Sequence, residues 1–247
     1  MQREYHVWHS PHLGRDMEML VFGHAGSAVL IFPTRDGRFH EYEDLRIVER
    51  LRPWIEAGSL QLFCLDNIAH ESLYCFWCRP EDRVHRYLAY ERYVLDEVLP
   101  LITRLNPNGE RVAHGLSLGG YFAANFAFRH PALIDRLVAC SGRYDLTRPV
   151  EHFQDLFAGH YDDSVYFNTP LHFLPDLHEP VLLAALRRMR VILAVGRDDP
   201  FHGQNHELRR ILCAKGVDCQ IYDWDGRAHQ GWAWRRMAPI YLPPTPG

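Results

Sequence analysis

The sequence predicts an α/β fold built on one mainly parallel sheet with helices on both faces, and three observations carry that prediction. Apolar runs of strand length alternate with segments of helical periodicity along the chain. One of these runs, Val191–Gly196, is apolar without interruption, as a strand covered on both faces must be. Around Gly115-Leu116-Ser117-Leu118-Gly119-Gly120, a third signal, a strand-like run turns directly into a helix rich in small residues.

Taken in order, Arg3 to Trp8 and Met17 to Phe22 read as an opening pair of strands around the turn Pro11-His12-Leu13-Gly14. Ala28 to Phe32 and Leu60 to Leu65 are apolar enough for central strands. Between Arg83 and Leu105, Val84, Leu88, Val94, Leu95, Val98, Ile102 and Leu105 recur at helical spacing, which predicts one amphipathic helix kinked at Pro100. After the loop Asn106-Pro107-Asn108-Gly109 comes a short buried strand, Arg111 to His114, and beyond the glycines a helix over Tyr121 to Phe128 that Pro131 prevents from continuing. Leu137 to Cys140 supplies another strand. The poorly periodic stretch from Gly142 to Leu186 carries Tyr144, Phe153, Phe157, Tyr161, Tyr166, Phe167 and Phe173. Such a stretch reads as a cap-like insertion at about 142–186 whose rings either line an apolar acyl or alcohol pocket or pack the insertion itself. Then follow Val191 to Gly196, a helix over about Asn205 to Lys215, a strand over Asp218 to Asp223, and the loop Gly226-Arg227-Ala228-His229.

A chain of 247 residues, 47% hydrophobic and 23% charged, can bury one large core, and the absence of a linker, repeat or low-complexity segment makes a single domain the expectation. Its net charge of −4 excludes the basic footprint of a nucleic-acid binder. The start Met1 to His6 lacks the apolar core of a signal peptide and no run approaches membrane length, so a cytoplasmic protein without a membrane partner is expected. Six cysteines, at 64, 75, 78, 140, 213 and 219, are too scattered for a disulfide scaffold and are expected to be mostly reduced. Cys75-Phe76-Trp77-Cys78 has redox or zinc-half-site spacing without a second such pair, so two packed thiols are expected there.

The chemistry concentrates on Ser117. Its G-x-S-x-G setting suits a strained strand-to-helix turn, because side chains at the flanking glycines would collide as the chain reverses, and the turn frees the amide of Leu118 to face a developing oxyanion. A serine needs a base and a group to orient that base. Asp198 and Asp199 emerge at the carboxyl end of the Val191–Gly196 strand, where either can cap the next helix; Asp199 is the preferred acid and Asp198 the alternative. His229 follows in a loop able to reach back over the sheet, completing the chain order Ser117, Asp199, His229. Pro33-Thr34-Arg35-Asp36-Gly37 follows the third strand, where a second oxyanion amide is expected from Arg35, with Thr34 as the alternative.

These residues resemble the α/β-hydrolase superfamily and, within it, the putative-esterase branch related to esterase D and the mycolyltransferase antigens, over nearly the whole chain. The resemblance implies an α/β-hydrolase fold and a serine carboxylic ester hydrolase working through an acyl-enzyme. It makes Ser117 the nucleophile, Asp199 the acid, His229 the base and the Leu118 amide one oxyanion donor. Relatives often place a tryptophan two residues after the histidine, whereas here Gln230-Gly231 precedes Trp232, with Trp234 beyond. A small-molecule ester is the implied partner, and no cofactor or metal is required. An acyltransferase would share every one of these residues, and a non-catalytic binding module would share the fold.

Overall fold

A computed structural model describes residues 1–107 and 109–244. Asn108, part of the turn read before the fifth strand, lies outside them. The strands are β1 (Arg3–Ser10), β2 (Arg15–Phe22), β3 (Ser27–Phe32), β4 (Leu60–Leu65), β5 (Arg111–Leu116), β6 (Arg136–Cys140), β7 (Arg190–Gly196) and β8 (Asp218–Trp224). The helices are α1 (Glu41–Asp44), α2 (Ile47–Glu56), α3 (Pro80–Tyr93), α4 (Leu99–Leu105), α5 (Leu118–Arg129), α6 (Asp163–Tyr166), α7 (Pro170–Phe173), α8 (Pro180–Arg188), α9 (His202–Ala214) and α10 (Gly231–Tyr241).

All eight strands join one sheet in the order β1-β2-β4-β3-β5-β6-β7-β8. β1 and β2 form an antiparallel hairpin, β2 meets β4 antiparallel, and every later pairing is parallel. Alternation along each strand divides the core between two faces. Ala28, Leu30 and Phe32 of β3 enter one cluster with Tyr87 of α3, Phe122 of α5 and Leu208 of α9. Val29 and Ile31 enter the other with Leu51 of α2 and Met237 of α10. This is the α/β-hydrolase fold, and no described helix is long and apolar enough to cross a membrane.

The order also locates a site. After β3 the chain steps outward to β4 on one side, then returns to place β5 on the other, so β3 and β5 flank a topological switch point. Loops leaving the carboxyl ends of such strands diverge and open a crevice. Ser117 leaves β5 there, and the Pro33–Gly37 loop leaves β3.

Two expectations change. The single helix expected from Arg83 to Leu105 is interrupted by a π-helical turn at Val94–Val98, one turn before the expected kink. Pro100 sits in the first turn of α4, where its missing amide is tolerated, and the wider turn ahead of it absorbs the mismatch. Cys75 and Cys78 are joined in a disulfide instead of packing as two thiols, because the turn between them, closed by the Cys78 amide on the Cys75 carbonyl, brings their Cα atoms to 5.3 Å. Cys64, Cys140, Cys213 and Cys219 are free.

Candidate active site

Ser117 occupies the junction of β5 and α5 with φ of 55° and ψ of −119°, a conformation that L-residues adopt only when their surroundings force it. The forcing contacts involve the motif glycines. A Cβ on Gly115 would lie 2.1 Å from the Gly119 carbonyl carbon, and one on Gly119 would lie 2.1 Å from the Phe32 carbonyl oxygen. Only glycines let the strand, the turn and the end of β3 meet this closely. The Leu118 amide opens α5, in the first turn where helical amides lack intrahelical acceptors.

His229 arrives from the other side of the crevice. Its loop crosses the end of β7 at Gly196, where a Cβ would lie 2.0 Å from the Arg227 carbonyl oxygen, and the Asp198 amide donates to Gly226 at 3.0 Å. The imidazole packs edge-on between Phe201 and Trp234, with ring centroids 5.9 and 5.3 Å away. Its Nδ1–H donates to Asp199 Oδ2 at 2.8 Å, which leaves Nε2 to accept from the Ser117 hydroxyl at 2.9 Å. The Asp199 side chain is fully buried, and its other oxygen accepts the Phe201 amide at 2.9 Å. Asp198, by contrast, is exposed. The structure therefore brings Ser117, His229 and Asp199 into one hydrogen-bonded line and leaves Asp198 outside it.

The loop after β3 distinguishes Thr34 from Arg35. The Thr34 amide and hydroxyl both donate to the Glu41 carboxylate, so neither is available to a ligand. Asn67, two residues past β4, donates its amide to the carbonyls of Thr34, Arg35 and Gly37. In a trans peptide the N–H points opposite to the C=O, so fixing the Thr34 carbonyl on Asn67 turns the Arg35 N–H the other way. Burial raises the Glu41 pKa, opposed by its hydrogen bonds from Thr34. Neither Glu41 nor Asn67 is evident from the serine motif. The available signal is the position of Asn67, two residues past an apolar strand, where side chains of a parallel sheet turn toward the ligand side.

Beside this line lies a cleft of about 350 Å³ bounded by Arg35, Tyr74, Phe76, Arg143, His152, Phe153, Gln154 and Leu156. Phe153 packs at a tilt against Phe201, ring centroids 4.8 Å apart, and Phe201 in turn meets His229, which connects the cleft to the imidazole. Arg143 is buried and braces the wall by donating to the carbonyls of Asp145, Leu146, Arg148 and Gln154. The remaining aromatic residues of 142–186 go elsewhere: Tyr144 and Phe157 are buried in the core. Tyr166, Phe167 and Phe173 line a cavity of about 510 Å³ with Phe128 and Arg129 at the far end of α5.

Fold and crevice together are those of an α/β-hydrolase. The model of the "Putative esterase" family matches residues 80–231, and the chain belongs to that family, a carboxylic ester hydrolase. Its fold is similar to that of a ferulic acid esterase at 19% identity and a TM-score of 0.78, covering 98% of this chain and 96% of that one. It is similar also to the substrate-bound fluorophosphonate-binding serine hydrolase F of Staphylococcus aureus, at 16% identity, a TM-score of 0.73 and coverage of 98% and 96%. An S-formylglutathione hydrolase from Agrobacterium tumefaciens is similar at 14% identity and a TM-score of 0.74, with coverage of 97% and 92%. No curated protein matches the chain in sequence.

Proposed function

We propose that this single-domain protein hydrolyses small carboxylic esters through an acyl-enzyme on Ser117. His229 Nε2 takes the hydroxyl proton as Oγ attacks the acyl carbon, and Asp199 holds the ring and stabilises its protonated form. The amides of Leu118 and Arg35 bind the oxyanion of the tetrahedral intermediate. His229 then returns the proton to the leaving alcohol, and water, activated by the same imidazole, releases the acid. The continuous line from Asp199 through His229 to Ser117, at 2.8 and 2.9 Å, is the observation that carries this reading.

Segment 142–186 serves this chemistry as one wall of the cleft, through Phe153, Gln154 and Leu156, and carries most of its other rings away from it. Aromatic and aliphatic side chains joined by Arg35, Arg143 and His152, with no carboxylate among the lining residues, favour an ester whose group in the cleft is apolar and neutral or negative. A panel of nitrophenyl esters of increasing acyl length tests the reading: wild type turns over at least part of the panel with an acyl burst, and Ser117→Ala turns over none of it above background. Equal turnover by both proteins would remove Ser117 from the mechanism.

A further inference from the structure

α9 carries His202 and His206 one turn apart, so their imidazoles leave the same side of the helix. β8 presents Asp223 to that pair. The two Nε2 atoms converge on one carboxylate oxygen, Asp223 Oδ1, at 3.1 Å from His202 and 2.9 Å from His206, and the ring centroids are 4.4 Å apart. The ligand atoms of all three residues lie within 4.8 Å of one another. Side-chain exposures of 33%, 39% and 32% leave the cluster open to solvent ions.

A borderline divalent ion binds imidazole nitrogen and carboxylate oxygen at about 2.0–2.2 Å, which sets neighbouring donors about 3.0–3.4 Å apart. Both nitrogen-to-oxygen separations here are close to that spacing. Two imidazoles with one carboxylate suit zinc, cobalt, nickel or copper, whereas magnesium and calcium take oxygen ligands. We propose that His202, His206 and Asp223 form a binding site for a divalent transition metal, with water completing the coordination on the exposed side.

Its position gives the ion a consequence. The His202 amide donates to the Asp199 carbonyl at 3.0 Å, and the Phe201 amide donates to the Asp199 carboxylate. An ion fixed on His202 and Asp223 thus ties the end of β8 to the turn that holds Asp199. The ion takes no part in the ester chemistry, so the site stands or falls independently of the hydrolase reading.

The test is a titration of chelator-stripped full-length protein with Co²⁺, followed by visible absorption and thermal melting. Wild type is expected to bind one equivalent with weak d–d bands, and to melt about 5 °C higher when the ion is in hundredfold excess over its dissociation constant. His206→Ala and Asp223→Asn should each weaken binding at least about tenfold, while His229→Ala should leave it unchanged. Lack of saturable binding at millimolar Co²⁺ would overturn the proposal, as would full affinity in both His206→Ala and Asp223→Asn. So would loss of binding in His229→Ala, or an intense near-ultraviolet thiolate band placing the ion on cysteine.

Discussion

The two ends of α5 differ in a way that cavity size does not explain. At the Arg129 end, a cavity of about 510 Å³ is walled by Phe128, Tyr166, Phe167, Phe173, Leu177 and Leu182. At the Leu118 end, about 16 Å away at the rise of a helix, the cleft is smaller at about 350 Å³. Yet only the Leu118 end has a strained serine, a buried carboxylate aligned through an imidazole, and free amides of a helix start. Volume and apolar lining make a place for a ligand; the convergence of donors and acceptors on one hydroxyl makes a place for a reaction.

Substitutions at the two ends sharpen the contrast. Ser117→Ala should fold normally and lose about 10⁶-fold in kcat, as removal of a nucleophile does elsewhere. Asp199→Asn should cost about 10⁴-fold with little change in melting temperature, because the imidazole loses the acceptor that fixes its tautomer. Exposed Asp198→Asn should leave turnover intact, and an inactive Asp198 variant would transfer the acid role one residue upstream.

Beneath the reactive end, on β5, His114 is fully buried; its Nδ1–H donates to the Val138 carbonyl and its Nε2 has no partner among the described residues. Burial, reinforced by the charge of Arg136 and opposed by that hydrogen bond, pushes its pKa down from 6.5 to about 4. Above pH 6.5 the group is neutral in both folded and unfolded chains and contributes no pH dependence. As the pH falls from 6.5 to 4 the unfolded chain takes up a proton that the folded one refuses, and about 3 kcal/mol of stability is lost. His114→Gln should remove that portion of the acid sensitivity in urea unfolding measured at pH 7 and pH 5. Parallel losses in both proteins would show that His114 is not its source.

The smallest effect compares the two cavities directly. Phe153→Ala should change the ratio of rates on long-chain and acetyl esters by about tenfold, whereas Phe167→Ala, at the other end of α5, should leave the ratio unaltered. A shift in the Phe167 variant would mean that acyl chains reach the larger cavity.

How much of this was legible in the sequence depended on whether the signal was local. A largely apolar run marked Leu60–Leu65, broken only by Gln61, and an uninterrupted one marked Val191–Gly196, because a strand buried on both faces tolerates little else. α2 and α10 escaped the sequence reading: Pro53 and Pro239 lie inside them, and their stability comes from Leu51, Ile55, Met237 and Ala238 packed under the sheet. The order Ser117, Asp199, His229 was readable from turn chemistry and strand ends. The hydrogen bonds that set Thr34 apart from Arg35 come from Glu41 and Asn67, which reach the loop only once the chain has folded. Trp232 and Trp234 were likewise equivalent as letters, but Trp234 packs on His229 and Trp232 is exposed. His202 fell outside the helix expected from Asn205 to Lys215, which hid its alignment with His206, and the approach of Asp223 depends on how α9 lies against β8.

Acylation of Ser117 is tested by mapping the site of a covalent adduct. After reaction with a fluorophosphonate, intact-mass and peptide mass spectrometry should find one adduct per chain, on the peptide containing Ser117, and none in Ser117→Ala. An adduct on any other residue of wild type, or undiminished labelling of the alanine variant, would rule out Ser117 as the nucleophile.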